Sequence, residues 1–244
     1  MLEHPRLLNR LAYSLYGGWF WAVFVCLSLP TLCLVALTPG QHRCRCIARL
    51  SAGLLLRLTG AWPAVSGLHL LPETASVVVA NHASYLDGIL LTAILPHRYR
   101  YVIKREITQV PLVAFFLRRI GAHFVDRSDP KRGASDARRI IQTANDGASL
   151  AFFPEGTFLR EPGLRHFHNG AFTIATRSNM PLVPITIRGT RKMLPAHQWL
   201  ARPARLAVII GEPLATTNNM DASTAREYCR QQILQTLNEP DLLA

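Results

Sequence analysis

The sequence is short of acidic residues. Asp and Glu together number 15 against 27 Lys and Arg, so that the formal net charge is +12 over 244 residues. This balance favours an anionic partner, namely nucleic acid, an acidic membrane surface or a phosphorylated substrate, and it carries no information about the fold. Hydrophobic residues make up 49% of the chain. That fraction is high for a soluble domain and indicates that part of the chain meets lipid.

Paired cysteine motifs are also lacking. The five cysteines are odd in number, four lie in or near the apolar N-terminal segment, and no Cys-x-x-Cys pair or regular Cys/His spacing occurs. The pattern supports neither a disulfide framework nor a zinc site, so we expect no bound metal. We interpret Cys44 and Cys46 as plain thiols that are buried or face the membrane. The alternative is that this pair is lipidated or binds a metal. Unpaired thiols fit a reducing, cytoplasmic compartment.

Charge is absent from Trp19 to Thr38. As a helix this run would be about 30 Å long, which matches the hydrocarbon thickness of a bilayer and exceeds the apolar core of a secretory signal peptide. Pro30 should kink or break the helix, and basic residues flank the run on both sides. We therefore predict an anchor that enters one leaflet as a hairpin without crossing. The globular domain would lie on the cytoplasmic face of a membrane such as the bacterial inner membrane.

A second apolar stripe lies between Arg43 and Leu58. Ile47, Leu50 and Leu54 recur there with Leu58 at helical spacing. This helix either lies on the membrane or packs on the globular domain, and the pattern leaves both interpretations open. The chain is thus divided into membrane-associated helices over residues 1–60 and a globular domain over residues 61–244.

Beyond Gly60, short β-rich runs alternate with helical stretches. This alternation predicts an α/β domain, a layered and mostly parallel sheet flanked by helices, behind the N-terminal helical anchor. The predicted strands are 77–80, 101–103, 123–125, 150–153, 182–187 and 206–210. The predicted helices are 87–95, 107–120, a segment containing 136–143, and 222–237.

No Gly-x-Ser-x-Gly nucleophile elbow occurs, so a serine hydrolase would have to rely on Ser84. The strongest chemical motif contains that serine: Asn81-His82-Ala83-Ser84-Tyr85-Leu86-Asp87 follows a predicted strand directly. A carboxylate at Asp87 can accept a hydrogen bond from one ring nitrogen of His82, fix its tautomer, and leave the other nitrogen to act as a general base. The alternative is a core histidine beside a helix-capping aspartate.

A second motif, Phe152-Phe153-Pro154-Glu155-Gly156-Thr157, ends another predicted strand. Gly156 lets the backbone approach a ligand and Thr157 can bind phosphate oxygens, whereas the alternative is a simple turn with positive φ at the glycine. Lys104 and Arg127 also follow predicted strands, where ligands bind in α/β sheets. Local pairing of Arg127 with Asp126 or Asp129 is the competing interpretation for that cation.

Together these segments resemble the glycerolipid acyltransferase family, in particular the 1-acylglycerol-3-phosphate acyltransferases. The resemblance covers about residues 77–187 and the N-terminal apolar helices. It rests on Asn81-His82-x4-Asp87, Lys104-Arg105-Glu106, Gly121-x4-Asp126-Arg127, Phe153-Pro154-Glu155-Gly156-Thr157 and Val183-Pro184-Ile185.

The resemblance implies a role for each matching position. His82 would be the general base and Asp87 its orienting partner. The acceptor site would be lined by Lys104, Arg127, Glu155, Gly156 and Thr157, and Val183-Pro184-Ile185 would shape the site near the acyl chain.

One position departs from the family pattern. The family has an arginine after Glu-Gly-Thr, whereas this chain has Phe158 there and its next arginine at Arg160. Either Arg160 holds the acceptor phosphate or the acceptor is a different hydroxylated or lyso-lipid. His166-x-His168 follows, but no third ligand is evident, so we expect no metal there either.

The resemblance implies transfer of a fatty acyl group from acyl-CoA or acyl carrier protein to a lyso-glycerolipid hydroxyl, with 1-acylglycerol-3-phosphate as the first acceptor to consider. No cofactor beyond the acyl carrier is expected. The expected partners are membrane lipids and the acyl donor, and no nucleic acid. A serine hydrolase and a non-catalytic module that binds anionic lipid are the rival functions.

Overall fold

A computed structural model describes residues 4–126, 129–217 and 219–243 of the chain. Its centre is a seven-stranded sheet with the order β1-β7-β6-β2-β5-β3-β4, in which every neighbouring pair is parallel except β6 with β7. The strands are β1 Ala64–Ser66, β2 Val77–Ala80, β3 Tyr99–Lys104, β4 His123–Val125, β5 Ser149–Phe152, β6 Leu182–Arg188 and β7 Ala207–Ile210. The predicted mostly parallel sheet is therefore confirmed.

Helices cover both faces of this sheet. They are α1 His4–Leu37, α2 Gln41–Leu58, α3 Leu86–Ile94, α4 Pro111–Arg119, α5 Pro130–Asn145, α6 Gly170–Arg177, α7 Thr190–Met193 and α8 Ala222–Leu237. Successive strand residues point to opposite faces. In β2, Val78 and Ala80 join the core formed with α1, α2 and α3, whereas Val77 and Val79 join the core formed with α5, α6 and α8.

The sequence prediction differs from the structure at one helix start and at three short elements. The helix predicted over 107–120 begins only at Pro111, which occupies its first turn, and Arg105–Gln109 forms a 3-10 turn instead. Proline suits a helix start because the missing N–H has no intrahelical partner there. The strand Ala64–Ser66 and helices Gly170–Arg177 and Thr190–Met193 were not predicted, because they are too short to show a clear period.

Helix α1 is continuous through Pro30, so the expected break does not occur. The chain reverses afterwards, between α1 and α2, and not at the proline. The segment Arg10–Leu37 is long and apolar enough to cross a membrane, and only 17% of its most apolar window is buried in the protein. Yet α1 is held to the domain along its length. Tyr16 Oη donates to Thr59 O at 3.0 Å, and Arg119 Nε donates to Val35 O at 2.9 Å.

Helix α2 packs on the globular domain, which is one of the two interpretations left open by its sequence, whereas its contact with the membrane stays a prediction. Ala52, Leu55 and Leu56 are buried against the domain. The stripe at Leu50 and Leu58 instead faces outward, where these side chains are 65% and 53% exposed. The helix therefore packs on the globular domain through one face and adds an apolar surface with the other.

Candidate active site

Polar side chains converge where the parallel strands end. β2, β5 and β3 are parallel neighbours, so their carboxyl ends meet at one edge of the sheet, where ligands bind in α/β folds. His82 follows β2, the segment from Phe153 to Phe158 follows β5, and Lys104 ends β3. Arg127, which follows β4 in sequence, lies outside the described residues.

His82 and Asp87 form a direct contact at this edge. His82 Nδ1 lies 2.8 Å from Asp87 Oδ2, and the Asp87 side chain is fully buried. The same oxygen accepts the backbone N–H groups of Ala83 at 2.6 Å and Ser84 at 2.8 Å. Because an ionised carboxylate only accepts hydrogen bonds, this contact assigns the ring proton to Nδ1 and leaves Nε2 as the nitrogen that can take a proton.

Glu155, in the loop that follows β5, holds the backbone of His82 in place. Its Oε1 accepts the His82 backbone N–H at 2.6 Å, and its Oε2 accepts the Arg165 backbone N–H at 3.0 Å. Burial raises the pKa of Glu155, and these two hydrogen bonds oppose that shift. The resemblance assigned this residue to the acceptor site, and that role stays a prediction. The structure shows a contact that positions His82, since both carboxylate oxygens bind backbone N–H groups and the residue is 4% exposed.

Two phenyl rings enclose the imidazole. The Phe153 ring stacks on His82 with centroids 4.3 Å apart and an interplanar angle of 19°. Phe158 meets the His82 ring at 4.5 Å and 62°, and it also meets Tyr85 edge to face at 4.7 Å. The residue that departs from the family pattern therefore forms a wall of the histidine site. Sequence reasoning noted the departure and did not predict this contact.

The Ser84 hydroxyl is buried and makes its hydrogen bonds within the protein. Its Oγ donates to Leu194 O at 2.7 Å and accepts the Leu86 backbone N–H at 3.2 Å, and the residue is fully buried. Asn81 is similarly structural, since its side-chain amide pairs with both the N–H and the carbonyl of Ile187 on β6. A buried hydroxyl that donates to a backbone carbonyl is poorly placed to act as a nucleophile.

The cationic candidates lie on the open side of the site. Lys104, Thr157 and Arg160 are exposed. Arg165 is half-buried, its backbone is bound to Glu155, and its Nη1 reaches Thr157 O at 3.5 Å. The structure thus places Arg165 against the Glu-Gly-Thr loop, which sequence order alone did not indicate because Arg160 comes first.

The remaining motif residues have structural positions. Gly156 has φ of 74° and closes a turn in which its N–H donates to Phe153 O at 3.0 Å. The segment Val183-Pro184-Ile185 is buried within β6 between β2 and β7. Its expected contact with the acyl chain stays a prediction.

The segment that follows β4 is held by an ion-pair network that the sequence did not reveal. Arg105 Nη2 lies 2.8 Å from Asp136 Oδ2, and that oxygen also accepts the Asp126 backbone N–H at 3.0 Å. The sequence offered no signal for this network beyond the charges themselves, because the partners come from three different elements.

Residues 63–188 match the family model described as Acyltransferase. This span covers more than half of the chain and contains the His82–Asp87 pair and the Glu155 loop. The chain belongs to the acyltransferase family. The recognition made from the motifs is thereby confirmed, whereas the role of each site residue stays a prediction.

Curated relatives of this acyltransferase are similar over most of its length. It is 32% identical over 177 residues, 71% of the chain, to "1-acyl-sn-glycerol-3-phosphate acyltransferase BAT2, chloroplastic" of Brassica napus, of which it covers 50%. It is 31% identical over 162 residues, 66% of the chain, to the 1-acyl-sn-glycerol-3-phosphate acyltransferase of Bacillus subtilis, of which it covers 77%. The chain spans about half the length of the plant and algal relatives, at 50%, 43% and 51%.

The fold is shared with a solved acyltransferase. The crystal structure of the 1-acyl-sn-glycerophosphate acyltransferase PlsC from Thermotoga maritima superposes with a TM-score of 0.74 at 21% identity, covering 94% of this chain and 95% of that one. At this identity the likeness concerns the fold alone.

Proposed function

We propose that the chain transfers a fatty acyl group from acyl-CoA or acyl carrier protein to the free hydroxyl of a lyso-glycerolipid, with 1-acylglycerol-3-phosphate as the acceptor. The observation that carries the proposal is the His82–Asp87 contact of 2.8 Å at the carboxyl edge of the sheet. The similarity to enzymes named for this acceptor supports the substrate.

The reaction follows from the geometry of the imidazole. Nε2 of His82 removes the proton of the acceptor hydroxyl as its oxygen attacks the thioester carbonyl. The buried Asp87 carboxylate stabilises the positive charge that then forms on the ring. Collapse of the tetrahedral intermediate breaks the carbon–sulfur bond, and the thiolate leaves readily because a thiol is far more acidic than an alcohol. The proton held by His82 returns to the departing sulfur.

Cations on the open side would hold the acceptor phosphate. Lys104 lies at the end of β3, and Arg165 lies against the loop that carries Thr157. Charge-assisted hydrogen bonds from such groups fix geometry as well as affinity. We assign the phosphate contact that the family arginine would make to Arg165 in preference to Arg160, and Arg127 remains a candidate from its sequence position.

Two rival functions are less well supported. A serine hydrolase would need Ser84 as its nucleophile, and that hydroxyl is buried and bound to Leu194 O. A non-catalytic module for anionic lipid would fit the net charge of +12. Such a module gives no reason for a histidine to be bound simultaneously through its ring and its backbone by two buried carboxylates.

The decisive experiment is turnover of the purified full chain in detergent. Lysophosphatidic acid, which is 1-acylglycerol-3-phosphate, and a neutral lyso-lipid would each be offered with acyl-CoA and with acylated acyl carrier protein. We expect diacyl product from lysophosphatidic acid, formed about 10²–10⁴-fold more slowly by His82→Ala. If only the neutral acceptor gave product, 1-acylglycerol-3-phosphate would be the wrong acceptor. If no pair of donor and acceptor gave product, acyl transfer to these lipids would be refuted.

We further infer that the chain lies on the membrane without crossing it. The outward face of α1 exposes Leu15, Trp19 and Leu29, and α2 adds Leu50 and Leu58 beside it. The opposite face of α1 is bonded to the domain near both ends. A full crossing would break those contacts. Apolar burial of one face combined with a basic surface is the pattern of an interfacial helix.

Sealed vesicles test this placement. Single cysteines at the exposed Arg10 and at the exposed His166 would be introduced into a chain with Cys26, Cys33 and Cys46 changed to Ser. We expect an impermeant thiol reagent to label both positions from the same side. Labelling of the two positions from opposite sides would mean that α1 spans the bilayer, and the interfacial arrangement would then be wrong.

A further inference from the structure

Two histidines and a cysteine meet away from the active site. His42 and Cys46 lie one turn apart on α2, and His97 lies in the loop between α3 and β3. Their ligand atoms all lie within 4.8 Å of one another. The sequence did not predict this cluster, since His97 is separated from the α2 pair by two strands and a helix. It comes close because α2 packs along α3.

The surrounding contacts hold the cluster in place. Arg45 Nε donates to the His97 carbonyl at 2.5 Å, and its Nη1 donates to Ile120 O at 3.2 Å. The His42 and His97 rings meet edge to face with centroids 4.3 Å apart. Cys44, which precedes Cys46 by two positions, turns away and is buried beside Val35 O. Only one thiol of the Cys-x-Cys pair therefore faces the two imidazoles.

We propose that His42, Cys46 and His97 bind a thiophilic d10 cation, Zn²⁺ or Cu⁺. Imidazole nitrogens and a thiolate are ligands that both ions accept, and three protein ligands suit either a three-coordinate Cu⁺ or a Zn²⁺ that completes its sphere with water. Binding releases the Cys46 thiol proton to solvent, because the thiolate is the ligand. The candidate position holds no ion in this structure.

The local charges bear on which ion is preferred. Arg45, Arg49 and Arg98 act electrostatically on His97, and positive neighbours disfavour a cation. A Cu⁺–thiolate pair is neutral, whereas a Zn²⁺–thiolate pair keeps one positive charge. Hydrogen bonds from Arg45 to the His97 carbonyl and from Arg49 to the Ala93 carbonyl keep both guanidinium groups next to the cluster. The cluster should therefore bind Cu⁺ more tightly than Zn²⁺.

Occupation of this site would link α2 to the globular domain. Two ligands lie on α2, which carries the outward apolar stripe, and the third lies on the loop that leads into β3. The ligand set includes none of the residues assigned to acyl transfer, so the proposal stands independently of the proposed function. Its expected effect is mechanical coupling of α2 to the sheet domain.

Metal binding to the full chain in detergent micelles tests the proposal. The reduced protein would be titrated with Zn²⁺ and, anaerobically, with Cu⁺, and the bound metal counted after desalting. Co²⁺ would serve as a spectroscopic probe for a thiolate-to-metal charge-transfer band. We expect one equivalent of metal and a rise in Tm on binding. Cys46→Ser, His42→Asn and His97→Asn should each weaken binding at least about tenfold, since even outer-shell changes cost that much.

Matched variants make the test specific. Cys33→Ser removes another exposed thiol, and His166→Asn removes one of a pair of rings 5.8 Å apart that gains no third ligand among the described residues. Both should bind metal as the parent does. His42 is exposed, so its variant is expected to fold even if His97→Asn does not. Failure to retain one equivalent of either ion, or equal binding by parent and His42→Asn, would overturn the proposal.

Discussion

The two sides of the active site are built in opposite ways. On the histidine side, the His82 ring contacts Asp87, Phe153 and Phe158, and its backbone is bound by Glu155. On the cationic side, Lys104 and Arg160 are exposed. The side that moves a proton is thus preorganised, as a general base must be to act within hydrogen-bond distance. The side that binds the acceptor relies on long side chains that can adjust to it.

This contrast predicts that substitutions on the histidine side affect turnover, whereas those on the cationic side affect the choice and placement of acceptor. Free energies of binding from exposed cations are modest and depend on salt. The loss of a positioned base removes the chemical step itself.

His82→Ala should give the largest effect. We expect kcat to fall by about 10²–10⁴-fold, because a positioned general base contributes that much. Steady-state acyl transfer measures it, and membrane binding and Tm should remain close to those of the parent. The exposed His166→Ala serves as the matched control and should leave kcat unchanged. Parent-like turnover by His82→Ala would remove the basis of the mechanism.

Asp87→Asn should follow closely, with kcat reduced by about 10²-fold. The amide keeps the size of the side chain but carries no charge to stabilise the protonated ring, and it does not enforce the Nδ1–H tautomer. KM should change little, because the Asp87 side chain is fully buried. A comparable fall caused by Asp221→Asn, at the aspartate that caps α8, would point to a general loss of stability instead.

Glu155→Gln tests whether a residue of the acceptor motif acts through the histidine. Its two oxygens accept N–H groups of His82 and Arg165, and an amide would oppose one of them with its own NH₂. We expect kcat to fall by about 10–100-fold, since a displacement of ~1 Å costs on the order of 10²-fold. Exposed Glu161→Gln, on the same loop, is the control. A pure rise in KM would return Glu155 to acceptor binding.

The difference between the two sides also explains what the sequence could predict. The His82–Asp87 contact joins the loop after β2 to the first turn of α3, so a five-residue spacing was enough to predict it. The Glu155 contact joins the loops that follow β2 and β5, which are distant in sequence, and no local pattern encodes it. The same holds for the Phe158 ring on His82, although the departure from the family motif marked that position.

The fold was likewise predicted in part: the buried strands were located, and the course of α1 was not. Strands buried on both faces read as apolar runs, so Val77–Ala80 and Leu182–Arg188 were located closely. Pro30 was expected to interrupt α1. It does not, since the helix is continuous through Pro30. Tyr16 before the proline bonds to Thr59 and Thr31 after it bonds to Ser51, and these contacts with residues distant in sequence could not be predicted from the proline.

Arg165→Ala should produce a smaller effect that appears in kcat/KM. A hydrogen bond to a charged group is worth about 1.5–3 kcal/mol, which corresponds to roughly 10–100-fold for lysophosphatidic acid and little change for a neutral acceptor. Arg160→Ala should cost less, since Arg165 is the arginine held against Thr157. Exposed Arg138→Ala, in the middle of α5, controls for net charge. A larger loss with Arg160→Ala would reverse the assignment.

Phe158→Leu should give the smallest effect and tests the boundary between the two sides. The ring contacts His82 and Tyr85, and aromatic pairs add about 0.5–1.5 kcal/mol beyond the area they bury. Losing them should lower kcat by roughly 2–10-fold for every acceptor, because the imidazole becomes less restrained while the cations are untouched. Phe158→Tyr should retain the ring contacts and keep parent-like turnover, and Leu159→Ala at the adjacent exposed position is the control. If Phe158→Leu instead changed the preference between lysophosphatidic acid and a neutral acceptor while kcat stayed constant, Phe158 would belong to the acceptor side. The wall that encloses the histidine would then also select the substrate, and the separation of the two sides would fail at this residue.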